Sequence, residues 1–570
     1  MRSRNSSSLE RHFAGLLQRL AGNSIAELEL AAALVARQVA QGHICLDLQE
    51  FAGREIAGAD GTTAICPGEE EWIDALKKSG VAGSAGEWKP LILDPPLLYL
   101  QRYWQYEQEV AGFILARGGM RPADFDGERL AQGLARLFPP ADRQENEPDW
   151  QQEAARKALS SRFCVISGGP GTGKTTTVAR ILALFCERCA KEESGRILLA
   201  APTGKAAARL QEAIRQARAG LNCTPEVKAA IPDTAVTLHR LLGSSPHGRR
   251  YHRKNQLAAS LVVVDEASMV DLPLMAWLMT ALPEQCGLLL LGDHHQLSSV
   301  QPGAVLGDIC RGLRQGGADR LLAELRKSYR FPSGSGIGAL SRMVNSGDGE
   351  GALAVLRDDN YPDVSWFDIG ADQDPLRRRL LAALGRQQER ISRAATPAEA
   401  LQAMGDFAVL SARRGGPFGV EHINLLATEM LSPSGSAHFH GRPVMITSND
   451  YGLQLYNGDA GLILQDGQAG GQLRAFFPAG TGVRRLLPAR LPVHDTAFAV
   501  TVHKSQGSEF AHVLLILPAG SSPVLCRELL YTGITRAIRS VEVWGDRNLF
   551  LEAIKSPTMR RSGLVKALAG

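Results

Sequence analysis

The sequence predicts an α/β protein with two sheet-and-helix regions, a small β-barrel or sheet inserted in the second, and a mainly helical N-terminal domain. Three observations lead there. The loop Gly168-Gly169-Pro170-Gly171-Thr172-Gly173-Lys174-Thr175 directly follows the apolar run Phe163-Cys164-Val165-Ile166 and fits G-x-x-x-x-G-K-[ST] at every fixed position. Short apolar runs at 196–201, 261–264 and 287–291 alternate with helical patterns. Such runs suit strands buried on both faces of a parallel sheet. Between 442 and about 493 the texture changes to Gly, Pro and short β-type runs such as 443–447 and 460–464.

Along the chain, residues 1–138 are Leu/Ala-rich and helical in pattern, without a catalytic signature. A polar, proline-bounded linker occupies 139–149. The first α/β domain spans 150–345. The second spans 346–570, with strand candidates at 407–411, 497–502, 512–517 and 540–544 and the insertion at about 442–493.

At 570 residues the chain is several domains long. Its 44% apolar and 21% charged content is that of an ordinary globular protein. The net charge of +4 permits nucleic-acid binding without arguing for it. The first twenty residues hold no apolar signal core, and no window is apolar enough to span a membrane, so a cytoplasmic location is expected. The nine cysteines are scattered, as expected of reduced thiols. Cys186 and Cys189 form a C-x-x-C with no second Cys/His pair nearby, so a metal site is not expected there.

The chemistry starts at the loop. A strand, a glycine-rich turn and a helix beginning near Thr175 aim backbone N–H groups and a helix N-terminus at a phosphate. Gly168, Gly169, Pro170, Gly171, Thr172, Gly173, Lys174, Thr175 and Thr176 are the nucleotide-binding candidates. Lys174 would reach the β- and γ-phosphates, and the Thr175 hydroxyl would hold Mg²⁺. The run Val262-Val263-Val264 ends in Asp265-Glu266. Asp265 would bind Mg²⁺, while Glu266 would position or deprotonate the attacking water. A further strand ends in Gly292-Asp293-His294-His295-Gln296, where Gln296 could sense the γ-phosphate and the histidines are loop residues. Arg330 and Arg536 can supply charge to a transition state, and both are expected to reach the loop from the second α/β region.

The ordered motifs resemble superfamily 1 helicases of the 5′-to-3′ branch. Gln151 resembles the adenine-reading glutamine, 168–175 motif I, 201–207 motif Ia, 237–243 the next DNA-side motif, 265–268 motif II and 292–302 motif III. Ser328-Tyr329-Arg330 resembles motif IV, 502–509 motif V and 530–537 motif VI. Within that branch, residues 98–107, Arg413 to Val420, Asn449-Asp450 and Asn457-Gly458-Asp459 resemble the RecD family, the alpha subunits of exodeoxyribonuclease V (RecBCD).

That resemblance implies two RecA-like motor domains, an SH3-like barrel, and ATP with Mg²⁺ between the motors. Gln506, Gly507 and Glu509 would join the nucleotide site. Pro202, Thr203, His239, Arg414, Thr501 and His503 would line a single-stranded DNA track. It further implies RecB-like beta and RecC-like gamma partners, DNA ends as substrate, and a role in double-strand break repair by homologous recombination and DNA degradation. Residues 244–257 occupy the place of a strand-separating pin in relatives; here they are short and basic, suiting a phosphate-contacting loop equally well. No acidic set spaced like a metal-dependent nuclease is evident apart from the residues used for ATP, and in the resembled complex the nuclease belongs to the beta subunit. The alternatives are a standalone RecD-like helicase and a scaffold subunit with a silent motor. Intact Lys174, Asp265, Glu266 and Arg536 argue against silence.

Overall fold

The computed structural model describes residues 3–570 except 58–62, 121–125, 140–147, 189–195, 246–247, 333, 371–373, 433–435, 451 and 480–481. Most of the expected linker, Cys189, and Pro246-His247 of the 244–257 insertion therefore lie outside the described residues.

The first α/β region is a six-stranded, all-parallel sheet. Its spatial order is Leu322–Leu325, Phe163–Gly168, Gly287–Gly292, Leu261–Val264, Ile197–Ala201 and Ala235–Thr237. Helices cover both faces, so the central strands are apolar throughout; Val262, Val263 and Val264 are fully buried. One face packs under the helices Leu272–Ala281 and Val305–Gln315, the other under Trp150–Ser160, Lys174–Arg188 and Gly204–Ala219. The strands Leu322–Leu325 and Ala235–Thr237 at the two edges were absent from the sequence reading.

The second region is a five-stranded parallel sheet ordered Val364–Asp368, Ala537–Gly545, Phe510–Ile516, Phe407–Ser411 and Ala499–Thr501. Just before the edge strand Ala499–Thr501 the chain makes a five-stranded antiparallel sheet. Its order is Gly482–Leu486, Gln472–Ala479, Ala460–Asp466, Arg442–Ile446 and His494–Thr496. Its alternating strands bury Val444, Ile446, Ile463, Ala475 and Phe477 in a small core of their own.

The N-terminal region is mainly helical and also holds strands that the sequence did not show. Among the described residues five helices of ten residues or more carry it, but Cys45–Asp47, Leu97–Leu100, Leu91–Asp94 and Ala82–Gly83 form a four-stranded sheet among them. Nor is it set apart. Helix Gln101–Gly118 packs into the core of the first α/β region, with the Phe113 and Phe163 rings edge-to-face at 6.4 Å. Arg117 donates to the Pro283 carbonyl at 2.5 Å. Helix Gly127–Leu137 buries Leu134 and Leu137 against the helix Lys174–Arg188.

The chain's end closes this arrangement. After the last helix of the second region, Arg547–Lys555, residues 556–570 return to the N-terminal region and the first sheet. Arg560 donates to the carbonyls of Gln301 and Gly303 at 2.7 and 2.9 Å, and Ile44 N–H donates to the Arg561 carbonyl at 2.8 Å. Helix Leu564–Ala569 lies on Val305–Gln315, so close that a Cβ on Gly316 would sit 2.6 Å from the Leu568 carbonyl oxygen. Beneath this strap Glu107 accepts from Ser562 Oγ at 2.6 Å and from Gly563 N–H. Burial pushes the Glu107 carboxyl up to about 7, against the opposing hydrogen bonds from Ser562, Tyr99 and Gly563. The folded-state value lies above the free value of 4.5, so its contribution to stability is full below 4.5 and is lost as pH rises through 7. Glu107→Gln should flatten the fall of the thermal midpoint over that window. Identical midpoint-versus-pH curves for the variant and the parent chain would refute this. No helix among the described residues is long and apolar enough to cross a membrane.

Candidate active site

Every signature segment of the first sheet lies at the carboxyl end of its strand, where open α/β sheets bind ligands. The glycine-rich loop leaves Phe163–Gly168 and enters the fifteen-residue helix Lys174–Arg188. Gly171 and Gly173 have φ of 74° and 80°. A Cβ would lie 2.2 Å from Arg330 Cβ at Gly171, and 2.3 Å from Gln151 Nε2 at Gly173. Only glycine fits these positions on both counts. The N–H groups of Gly169, Gly171, Thr172 and Gly173 have no protein acceptor among the described residues, which is what an anion cradle requires. Lys174 Nζ is held over the loop by the carbonyls of Gly168 and Gly169, at 2.6 and 3.0 Å.

Asp265 and Glu266 end the strand Leu261–Val264, with Glu266 in the left-handed region at φ 52°. The turn is fastened by Glu266 N–H donating to Asp265 Oδ1 at 2.8 Å. Desolvation first, then the charge of Glu266, pushes the Asp265 carboxyl up to about 6, while Lys174 opposes the shift. Two crowded acids beside a phosphate cradle call for a cation. The described residues contain no cluster of three His, Cys, Asp or Glu that could hold one unaided. The donor set therefore suits a metal that takes one carboxylate and one hydroxyl from the protein and the rest from phosphates and water, which is how Mg²⁺ is usually held.

The 293–297 segment joins the two regions. Asp293 is 1% exposed and accepts from the Tyr531 hydroxyl of the second region at 2.9 Å and from Gln296 Nε2 at 3.2 Å. Gln296 Oε1 is buried without a hydrogen-bond partner among the described residues. The Leu297 N–H donates to Thr532 Oγ1 at 2.9 Å, and the Leu297 carbonyl accepts from Gln506 Nε2 at 2.8 Å. Gln506 is thus committed to the join, and Gly507, at φ 67°, lies beside Ala206 of the first region. His294 Nδ1 lies 2.6 Å from Ser167 Oγ, and burial lowers its pKa to about 4, so the ring is a neutral loop fastener.

Arg536 is 2% exposed. Its Nε donates to the Thr532 carbonyl and its Nη1 to the Ser508 carbonyl, both at 3.2 Å. Burial lowers its pKa, opposed by the charges of Glu266 and Glu509. Arg536 is thus a fixed guanidinium of the second region, with Glu266 and Glu509 as charged neighbours. Arg330 arrives differently from the expectation. It follows Leu322–Leu325, the strand paired with the loop strand, so it comes from the first sheet's own edge. Tyr329 N–H donates to the Gly171 carbonyl at 2.8 Å. Arg330 Nη2 pairs with Glu509 at 2.7 Å, and its Nη1 is buried without a partner among the described residues. Glu509 in turn has its pKa lowered chiefly by Arg330 and Arg209 against the cost of burial.

A cavity of 430 Å³ opens beside the loop. Gln151 and Thr176 line it, together with Phe138, Trp150, Arg180 and Tyr329, to which the sequence assigned no role. Gln151 Nε2 donates to the Thr172 carbonyl, and its Oε1 accepts from Arg180 at 3.3 Å. Arg180 stands four residues after Thr176, hence on the same helix face; that spacing was the available signal.

The DNA-side candidates fall on both regions. Thr203 caps the helix Gly204–Ala219 by accepting from Ala206 N–H, next to Pro202. His239 is exposed on the short helix Leu238–Leu241. Thr501 accepts from Lys504 N–H, and His503 follows in a 3₁₀ turn, its pKa lowered by burial and then by Arg560. Arg414 is tied to Glu421 at 2.9 Å and lies 3.9 Å from Asp495 of the inserted sheet.

Fold and site together define a two-motor P-loop nucleoside triphosphatase. Residues 4–99 match the RecBCD enzyme subunit RecD N-terminal domain, 151–302 an AAA domain, and 496–543 the UvrD-like helicase C-terminal domain. The chain is 41% identical to the RecBCD enzyme subunit RecD of Mycobacterium tuberculosis, over 97% of this chain and 93% of that one. It is 33% identical to the RecD subunit of Haemophilus influenzae, over 95% and 93%. An ATP-dependent RecD2 DNA helicase of Deinococcus radiodurans is 31% identical, but over 72% of this chain and only 52% of that protein. The chain belongs to the RecD family of RecBCD enzyme subunits.

Proposed function

We propose that this chain is the ATP-dependent DNA helicase subunit of a RecBCD (exodeoxyribonuclease V) assembly in the cytoplasm, moving 5′ to 3′ on single-stranded DNA. It would act with RecB-like and RecC-like partners on DNA ends, in double-strand break repair by homologous recombination and in DNA degradation. In this reading the two parallel-sheet regions are RecA-like motors and the inserted sheet is an SH3-like barrel. The observation that carries it is the join across the cleft, where Asp293 and Leu297 of the first motor meet Tyr531, Thr532 and Gln506 of the second.

The nucleotide's base would enter the 430 Å³ cavity between Gln151, Arg180 and Tyr329, and its phosphates the cradle at 168–176. Thr175 and Asp265 would hold Mg²⁺, which supplies charge neutralisation for the phosphates. Glu266 orients the attacking water and takes its proton. The unpaired Gln296 Oε1 accepts from the same water and reports it to Asp293 and Tyr531. Arg536 and Arg330 stabilise the developing negative charge. Because Arg536 is on the second motor, hydrolysis alters what holds the motors together. Pro202, Thr203 and His239 on one motor, with Arg414, Thr501 and His503 on the other, would then grip the DNA backbone alternately.

The test is ATPase rate with and without single-stranded DNA, for the chain alone and with its partner subunits, beside unwinding of duplexes carrying 5′ or 3′ single-stranded tails. DNA-stimulated turnover and unwinding from the 5′ tail are expected. DNA-independent turnover would defeat the motor reading, and unwinding from the 3′ tail would reverse its polarity.

A further inference from the structure

The insertion after His239 is a built structure. Ser244–Ser245 pairs with Gly248–Arg249, Tyr251 N–H donates back to the Leu242 carbonyl, and His252 and Asn255 exchange two backbone bonds of 2.9 Å. It rests beside helix Gln101–Gly118 of the N-terminal region, and together they line a cavity of 380 Å³. The cations there are Arg102 from the helix and Arg249, Arg253 and Lys254 from the insertion, with His252 beside them. The single carboxylate among the lining residues is Glu109, 3.8 Å from Arg253.

Two features mark this as more than a solvated charge run. Arg249 is held over the Trp277 ring at 4.5 Å, Tyr106 stands edge-on to that ring, and Arg249 Nη1 is buried without a hydrogen-bond partner among the described residues. A guanidinium fixed by stacking keeps its donors for a ligand. The insertion also follows directly on the short helix Leu238–Leu241 that carries His239, and Ser244–Ser245 packs against that helix. Asp271, the N-cap of helix Leu272–Ala281, is the electrostatic neighbour of both His239 and Tyr103, and Arg102 lies over the Tyr103 ring at 4.9 Å.

We propose that Arg102, Arg249, Arg253 and Lys254 form a binding site for the phosphate backbone of single-stranded DNA beyond His239, so that the N-terminal region is itself part of the DNA path. The proposal rests on the DNA-motor reading above. One fixed cation beside three exposed ones, with aromatic rings next to them, suits a strand read without regard to sequence. The N-terminal helix, packed into the first motor's core, moves with that motor, so this contact would stay in register with His239 through the motor cycle.

Arg102 and Arg253 are exposed, so reversing their charge spares the core. The experiment uses the chain assembled with its partner subunits and measures oligonucleotide affinity against salt concentration. The shortest single strand that stimulates hydrolysis is compared with a longer one. In the double variant Arg102→Glu, Arg253→Glu, affinity for the long strand should fall about tenfold. Its log–log salt slope should shrink by about 1.4, two contacts at about 0.7 each. Affinity for the short strand should change less than twofold. Lys254→Glu should reproduce about half the slope change. Long-strand affinity and slope equal to those of the unsubstituted assembly would overturn the proposal. So would loss of partner assembly with DNA binding intact, which would assign the patch to an acidic protein surface. If the unsubstituted assembly shows no DNA-stimulated hydrolysis with either strand, the motor reading fails first and the site falls with it.

Discussion

Lys174→Gln should abolish most ATP turnover, lowering kcat by about 10²–10³-fold, the usual loss when one preorganised charge is taken from a transition state. The variant should fold. Among the described residues Lys174 hydrogen-bonds the carbonyls of Gly168 and Gly169, and bonds of that kind contribute about 1 kcal/mol each. Its thermal midpoint should therefore lie within a few degrees of the parent's. The loop's glycines, fixed by φ and by the approach of Arg330 and Gln151, remain in place, so nucleotide affinity should weaken far less than turnover falls. Turnover within threefold of the parent's would show that the loop is not the hydrolytic site. A collapse of stability would show that the lysine is structural.

The parts of this site that were legible in the sequence are contiguous ones. The loop at 168–175 and the pair Asp265-Glu266 each carry their chemistry in a few neighbouring residues after an apolar strand, so spacing alone exposes them. The join between the motors was not legible. Tyr531 meets Asp293 across 238 residues, and Gln506 meets Leu297 across 209. No local pattern encodes such pairs, because two sheets must pack before they exist. Arg330 was assigned to the far motor because chain distance stood in for spatial distance. The parallel pairing of Leu325 with Gly168 removes that distance, placing residues a few positions later directly on the loop. The N-terminal sheet escaped notice because its strands are two to four residues long, too short to show a period of two among helical patterns.

Arg536→Lys tests the join where it meets the chemistry. The substitution keeps a positive charge near Glu266 and Glu509, so the buried carboxylates keep a counter-charge and the chain should stay folded. What it removes is the planar fork that lets Nε bond the Thr532 carbonyl while Nη1 bonds that of Ser508. An ammonium on a flexible stem cannot hold both and still present a directed donor to the phosphates. Turnover with single-stranded DNA present should fall by about 10³-fold, the low end for loss of an arginine finger. ATP affinity, measured by direct binding, should change only a few-fold, since the cradle belongs to the other motor. Arg536→Ala would be a poorer probe, because leaving buried charge unpaired typically costs about 3–5 kcal/mol and confounds activity with folding. If Arg536→Lys turns over within threefold of the parent, the guanidinium is a structural clasp between Ser508 and Thr532, and the transition-state charge must come from Arg330 alone. If turnover falls and ATP binding falls equally, Arg536 acts in closing the motors on nucleotide instead of in the chemical step.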